Sequence, residues 1–331
     1  MLFFIKMLIN LDKTDLKILH ELDKNSKKTY SDIAKEVNLS KQSVKKRIDN
    51  LVEKKIITNF ITIINSSNFG IIPNQTFIAL NPCSEQRKCE FFEYLTNSND
   101  IAQITTCEGL YDIYFGIAGK DLGEIDEKLS DICTKFSDII KNKINLIMVD
   151  TRLFPRDFLI DKNRELIPKN KGFHSRINKF FKINGTDKKI LLFLSNNPKT
   201  SMINMAKNLN ISVQGVINRV KYLEANKIII GYMYLLNEKI FTQVLILLDI
   251  NPLPKNIEIK IFQYFASHPN IIFVVKYLGE YNFSITLEAK NFADYKKFSE
   301  DFKKEFSHHI KTFIPLINHE IKKIRFLPQD I

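Results

Sequence analysis

The sequence predicts an α+β molecule built twice over: a helix-turn-helix (winged-helix-like) domain, then a ferredoxin-like βαββαβ domain, then the same pair again. Three observations carry this. Residues 15–57 align without a gap to residues 187–229 at an offset of 172, with 18 identities in 43 positions, and self-similarity at a fixed offset is the signature of duplicated architecture. Inside each copy the apolar period changes from helical to alternating. A closing motif also recurs, RLFPRD at Arg152–Asp157 and RFLPQD at Arg325–Asp330. At 331 residues the chain exceeds what one growing core supports. The expected divisions are 8–60 and 183–231 for the helical domains, 70–157 and 240–331 for the βαββαβ domains, and a Lys/Asn-rich linker over 158–182.

Each helical domain reads as three short helices. Leu11, Leu16, Ile18, Leu19 and Leu22 form a stripe at helical spacing, with Asp12 or Thr14 placed to cap it. A second helix starts at Thr29 or Ser31. Asn38-Leu39-Ser40 turns the chain, and Ser40 caps a third helix whose core positions are Val44, Ile48, Leu51 and Val52. Helix, tight turn and capped second helix form the helix-turn-helix pattern. Downstream, 76–80, 101–107, 111–118 and 143–150 alternate as strands, with helices over 85–97 and 122–136. In the second copy the strands fall at 242–250, 270–278, 281–289 and 312–324, with helices near 256–267 and 291–306. The order βαββαβ implies an antiparallel sheet with both helices on one face. Two such sheets on one tether are expected to pack on each other as an intrachain pseudo-dimer.

Composition excludes several classes. No apolar run approaches the roughly 18 residues that span a bilayer. The apolar stretch at residues 1–11 is too short for a secretory signal, so the chain is expected to stay in the cytoplasm with no membrane partner. Cys83, Cys89, Cys107 and Cys133 lack metal-ligand spacing and are expected to be reduced and mostly buried. His308 and His309 are adjacent and would chelate a metal poorly. Ten scattered glycines form no nucleotide-binding loop. No cofactor, metal or catalytic constellation is expected.

The net charge of +12 is unevenly placed. It is +5 over residues 1–57, −5 over 58–157, +5 over 158–182, +5 over 183–229 and +2 over 230–331. Basic helical lobes beside a neutral or acidic remainder suit a polyanion. With Val44, Ile48 and Leu51 inward, Lys41, Gln42, Lys45 and Lys46 face outward near the start of the third helix, the end that enters a major groove. Gln42 can pair bidentately with adenine, whereas Lys41, Lys45, Lys46 and Arg47 suit phosphate or guanine. The second copy keeps Gln214, Arg219 and Lys221, but Val213, Gly215, Ile217 and Asn218 replace charged or polar positions. With Ser40, these nine residues are the expected contacts to double-stranded DNA.

The stretches at 11–22, 33–57 and the turn EGLYDIYFGI at 108–117 resemble the Lrp/AsnC ("feast/famine") family of transcriptional regulators, here in two copies. The resemblance implies a DNA-binding domain and a C-terminal sensor domain that dimerises and often binds an amino acid or similar effector. The family's Gly-x-x-Asp turn near the effector site matches Gly109 and Asp112, and falls on Gly279 and Asn282 in the second copy, where the carboxylate is lost. Further homo-oligomerisation is compatible with this. Sirohaem decarboxylases share the same layout, some as fused tandem chains, so fold alone does not separate regulator from enzyme. Against the enzyme, no His recurs at matching places in the two units, and His268 is the one catalytic candidate.

Overall fold

The computed structural model describes residues 11–162, 164, 171–173, 181–251 and 254–327. The first ten residues, most of the linker after 162 and Pro328–Asp330 of the closing motif lie outside the described residues.

In the first unit, helices α1 (Lys13–Lys24), α2 (Tyr30–Val37) and α3 (Lys41–Glu53) lead into strand β1 (Ile57–Ile64). Strands β2 (Ile72–Leu80), β3 (Ile101–Glu108), β4 (Ile113–Gly119) and β5 (Ile140–Leu153) follow, with α4 (Glu85–Asn97) and α5 (Leu122–Lys135) between them. A 3-10 turn (Asp157–Ile160) and strand β6 (Lys171–Phe173) come next. The second unit repeats the plan in α6 (Gly185–Asn196), α7 (Met202–Leu209), α8 (Val213–Ala225), β7 (Ile229–Leu236) and β8 (Thr242–Ile250). It ends with α9 (Lys255–Ser267), β9 (Ile271–Leu278), β10 (Phe283–Ala289), α10 (Phe292–Phe306) and β11 (Ile310–Ile324).

The eight sensor strands run β2-β4-β3-β11-β8-β10-β9-β5, and β5 pairs back onto β2. Each ferredoxin-like sheet therefore loses both edges: β3 pairs with β11, and β5 with β9. Edge-to-edge closure removes the unpaired backbone groups that make open sheets prone to aggregate, and it turns two sheets into one barrel. Alternate residues serve two cores. Phe77 points into the barrel with Leu245, Leu247 and Leu316, while its neighbour Ile78 packs outward under Phe91, Leu129 and Ile132 of α4 and α5.

Strands β1 and β7, missed in the sequence because they follow directly on helical patterns, pair antiparallel as a ribbon. Ile61 lies opposite Met233, the residue 172 positions further on. The ribbon register is thus centred on a repeat-equivalent pair, so the two units are related by a local two-fold axis inside one chain. The intrachain pseudo-dimer is present as the duplication implied.

Three expectations need correction. Val52 is 41% exposed, leaving Val44, Ile48 and Leu51 as the core stripe of α3. Of the four free cysteines only Cys107 is fully buried, and Cys89 is exposed on α4. The start of the linker is also part of the fold: Phe158 and Leu159 fill the core of the first helical lobe, and β6 adds to the edge of β5.

Candidate nucleic-acid interface

The first helical lobe is set by caps. Asp12 and Asp15 form a reciprocal capping box at the start of α1, and Thr29 accepts from Asp32 N to begin α2. Asn38 ends α2 with φ 54°, a left-handed conformation that Asn tolerates. Ser40 then caps α3, its hydroxyl accepting from Ser43 N at 3.1 Å. Asn210 (φ 52°) and Ser212 repeat the device in the second lobe. A tight turn with a capped helix beyond it fixes the angle at which α3 and α8 leave the body.

Along α3, Lys41, Gln42, Lys45 and Lys46 are exposed while Val44, Ile48 and Leu51 are buried. Three ammonium groups and one amide thus share the outward face of the first two turns. Lys46 and Lys54 also line a surface groove of about 390 Å³ between α3 and the start of α1. The structure gives Arg47 a different part from the phosphate contact expected of it. Its Nη1 donates to Asp15 Oδ1 at 2.7 Å and to Asp12 Oδ2 at 2.8 Å. The hydrogen bonds to Asp15 and Asp12 raise its pKa further, and two carboxylates neutralise the charge it would offer a phosphate. Arg219 makes the equivalent, longer contact to Asp187 at 3.4 Å. Both arginines tie the last helix of a lobe to its first.

On α8, Gln214 and Lys221 are exposed, but Gln214 Nε2 donates to Asn218 Oδ1 at 2.9 Å. Its neighbours on that face include exposed Val213 and Tyr222. The second outward face is therefore nearly uncharged.

The first lobe is also clamped to the second sensor domain by buried ions that sequence reasoning did not single out. Arg156 donates from Nη1 to Asp23 Oδ1 of α1 at 2.6 Å and from Nε to Glu288 Oε2 of β10 at 2.6 Å, and all three side chains are about 95% buried. Burial raises the Asp23 carboxyl above its ordinary range despite the arginine. Nearby, Asp157 accepts from Arg164 Nε at 2.6 Å and lies 2.8 Å from His20 Nε2. Arg164 reaches the carbonyls of Pro269 and Ile271 in the second unit. The recurrence of Arg-x-x-Pro-x-Asp marked the segment and Asp157, but Arg156 falls where the second copy has Gln329, and partners more than 100 residues away cannot be read from the motif.

The Gly-x-x-Asp turn is backbone machinery. Gly109 (φ 146°) abuts Pro315 O and Leu316 of β11, and Gly279 (φ 152°) abuts Leu146 and Asn145 O of β5. A Cβ at either would clash, and the positive φ suits only glycine. Asp112 Oδ2 accepts from Leu80 N at 2.7 Å, and Asn282 Oδ1 accepts from Ile250 N at 3.0 Å. The amide keeps the bond that the carboxylate makes, which explains how the second copy tolerates the change. His268 packs edge-on to Phe298 with centroids 4.9 Å apart, and burial, aided by Arg164, lowers its pKa to about 4. It does not line the cavity of about 150 Å³ that lies at the barrel mouth beneath the ribbon.

Residues 11–58 and 183–230 each match the family model for winged helix-turn-helix DNA-binding domains. Two such lobes on one barrel define the class of protein. Transcriptional regulator AzlB of Bacillus subtilis is 30% identical over 115 residues, 34% of this chain and 73% of AzlB. The HTH-type transcriptional regulator Ptr1 of Methanocaldococcus jannaschii is 27% identical over 139 residues, 42% of this chain and 92% of Ptr1. The chain belongs to the Lrp/AsnC family of helix-turn-helix transcriptional regulators, in tandem-duplicated form. Among solved structures, the sirohaem decarboxylase NirDL superposes with a TM-score of 0.62 over 97% of this chain and 95% of its own, at 15% identity. That likeness concerns the fold. No described helix is long and apolar enough to cross a membrane.

Proposed function

We propose that this chain is a cytoplasmic transcriptional regulator that binds duplex DNA as a one-chain dimer, led by its first lobe. The observation that carries it is the outward face of α3, where Lys41, Gln42, Lys45 and Lys46 stand exposed behind a capped helix-turn-helix. The lysines serve phosphates and Gln42 reads a base edge. On the second lobe Gln214 and Lys221 add weaker contacts, so the preferred site is asymmetric. Selection of bound genomic fragments tests this and should return one motif. Log affinity should fall with log salt at about −0.9 per phosphate contact. Changing Lys41, Lys45 and Lys46 together to Ala should flatten that slope by about 2–3, and an unchanged slope would sink the reading. An amino acid or similar effector at the exposed Asp112 carboxylate belongs to the same reading, and the second turn, with Asn282, would bind it less well.

The whole-length likeness to NirDL favours a second reading, sirohaem decarboxylation. Against it, the mouth cavity is smaller than the roughly 300–1,000 Å³ of pockets that take drug-sized ligands, and a tetrapyrrole exceeds those. Incubation with sirohaem and mass analysis separates the two: loss of carbon dioxide from the acetate side chains, leaving methyl groups, would establish the enzyme.

A further inference from the structure

Two polar clusters of the barrel interior end in different places. In one, Tyr277 shares hydrogen bonds with Gln75 and Ser284 and the cluster stops inside the barrel. In the other, Asn318 Nδ2 of β11 donates to Tyr114 Oη of β4 at 3.0 Å and to Gln243 Oε1 of β8 at 2.6 Å. Gln243 Nε2 donates onward to Glu288 Oε1 of β10 at 3.0 Å, and Glu288 accepts from the Arg156 guanidinium, which also holds Asp23 of α1. This chain runs from the barrel core to the first helical lobe, where Arg47 ties α3 to Asp12 and Asp15 of the same helix α1. Gln243 is half-buried, and the side chains of the other five links are buried. The second lobe has no equivalent route among the described residues. Where the chain has Tyr114, Asn318, Gln243 and Glu288, the other unit has Ser284, Met148, Pro73 and Ala118, and Ser195 stands for Asp23. Met148, Pro73 and Ala118 have no side-chain donor to pass on.

We infer that Gln243 and Asn318, deep in the sensor barrel, are positioning residues for DNA reading by the first lobe alone. Neither reaches the outward face of α3. Gln243 holds the Glu288 carboxylate in one orientation, Glu288 orients Arg156, and Arg156 fixes the end of α1 at Asp23. Hydrogen bonds in a buried, low-dielectric network polarise and orient one another, so the loss of one member is felt by the next. A helix carries a displacement of one end to the other, because each turn is bonded to the turn before it. Asp12 and Asp15 at the far end of α1 then deliver it to α3 through Arg47. The barrel interior thus bears on the lysine-rich helix and leaves α8 untouched. This inference rests on the reading of α3 as the DNA-binding helix.

The test has two arms on the full chain. In the first, amide hydrogen exchange is followed segment by segment, since it reports local opening. Gln243→Leu should speed exchange in α1 by about ten-fold and leave α6 unchanged, whereas Tyr277→Phe, which cuts the cluster that stops in the barrel, should speed neither. In the second arm, Gln243→Leu should weaken binding to the preferred duplex by roughly three- to ten-fold with the salt slope unchanged, because no phosphate contact is removed. Asp23→Asn breaks the chain at its lobe end with little change of shape, and adding Gln243→Leu to it should cost no further affinity, since residues of one network are not additive. Equal acceleration in α1 and α6, or no acceleration in either, would overturn the inference, as would fully additive losses in the double variant. A chain that binds no duplex at all would refute the DNA reading, and the exchange arm would still decide whether the barrel holds α1.

Discussion

The two helical lobes share 18 of 43 aligned residues and cap their helices at equivalent positions, yet they are held and charged differently. On α1 the first lobe carries His20, which hydrogen-bonds with Asp157, and Asp23, which pairs with Arg156 in a buried ionic contact reaching Glu288 of the second sensor domain. The equivalent positions on α6 are Leu192 and Ser195, and Ser195 Oγ is buried without a partner. The second lobe sits instead on apolar contacts with Ile64, Phe69 and Leu327, plus a hydrogen bond from Thr62 Oγ1 to Leu194 O. The lobe with the lysine-rich face is thus the one whose orientation is fixed by directional, desolvated ions. Duplication within one chain frees the halves from identical residues, so one half can hold a reading helix rigidly while the other contributes fold and contact area.

The largest effect should come from breaking the clamp. Arg156→Met leaves Asp23 and Glu288 buried without their cation, and removing one partner of a buried network costs about 3–5 kcal/mol. Ser195→Ala in the second lobe removes an unpaired hydroxyl and should change stability by less than about 1 kcal/mol. Denaturant midpoints at constant slope measure both. A loss below about 1 kcal/mol for Arg156→Met would show that the clamp does not distinguish the lobes.

A second comparison concerns pH. His268 in the second unit has its folded-state pKa lowered to about 4 by burial and by Arg164, against about 6.5 unfolded. The unfolded chain takes up a proton that the folded chain refuses, so stability is full above pH 6.5. It is lost as pH falls toward 4, by about 2–3 kcal/mol. His268→Asn should remove this part of the acid sensitivity. The check is the difference in unfolding free energy between the two proteins at pH 7 and at pH 4.5. An equal acid-induced loss in both would show that the histidine is not held neutral.

Much of this architecture was legible in the chain. The offset of 172 anticipated the two-fold centred on Ile61 and Met233, Ser40 marked the start of α3, and alternation placed β8 and β10 to within a residue or two. These are local signals, set by caps and by which face meets a core. What the sequence hid is long-range. The pairing of β3 with β11 joins residues about 200 positions apart, and no period records which sheet edges meet. The Arg156 clamp likewise exists only once distant strands converge. Arg47 shows the same limit on a smaller scale, because helical spacing put it near the outward face without revealing the two aspartates across the lobe.

That residue gives the smallest expected effect and the most direct probe of which cations face DNA. Arg47 is one-third exposed and paired to Asp12 and Asp15, and Arg219 is 44% exposed and paired to Asp187. Exposed pairs contribute roughly 0–1 kcal/mol, so Arg47→Ala and Arg219→Ala should each cost no more than that, with the shorter, two-acid contact of Arg47 costing more. Neither should change the salt slope of DNA binding much, because a guanidinium already matched by carboxylates releases few phosphate counterions. Replacing Lys45 alone should flatten the slope by about 0.9. The measurement is binding against salt for the three single variants on one duplex. If Arg47→Ala flattened the slope as much as the lysine change, the arginine would have to leave its aspartates on the DNA, and α3 would present four cations instead of three.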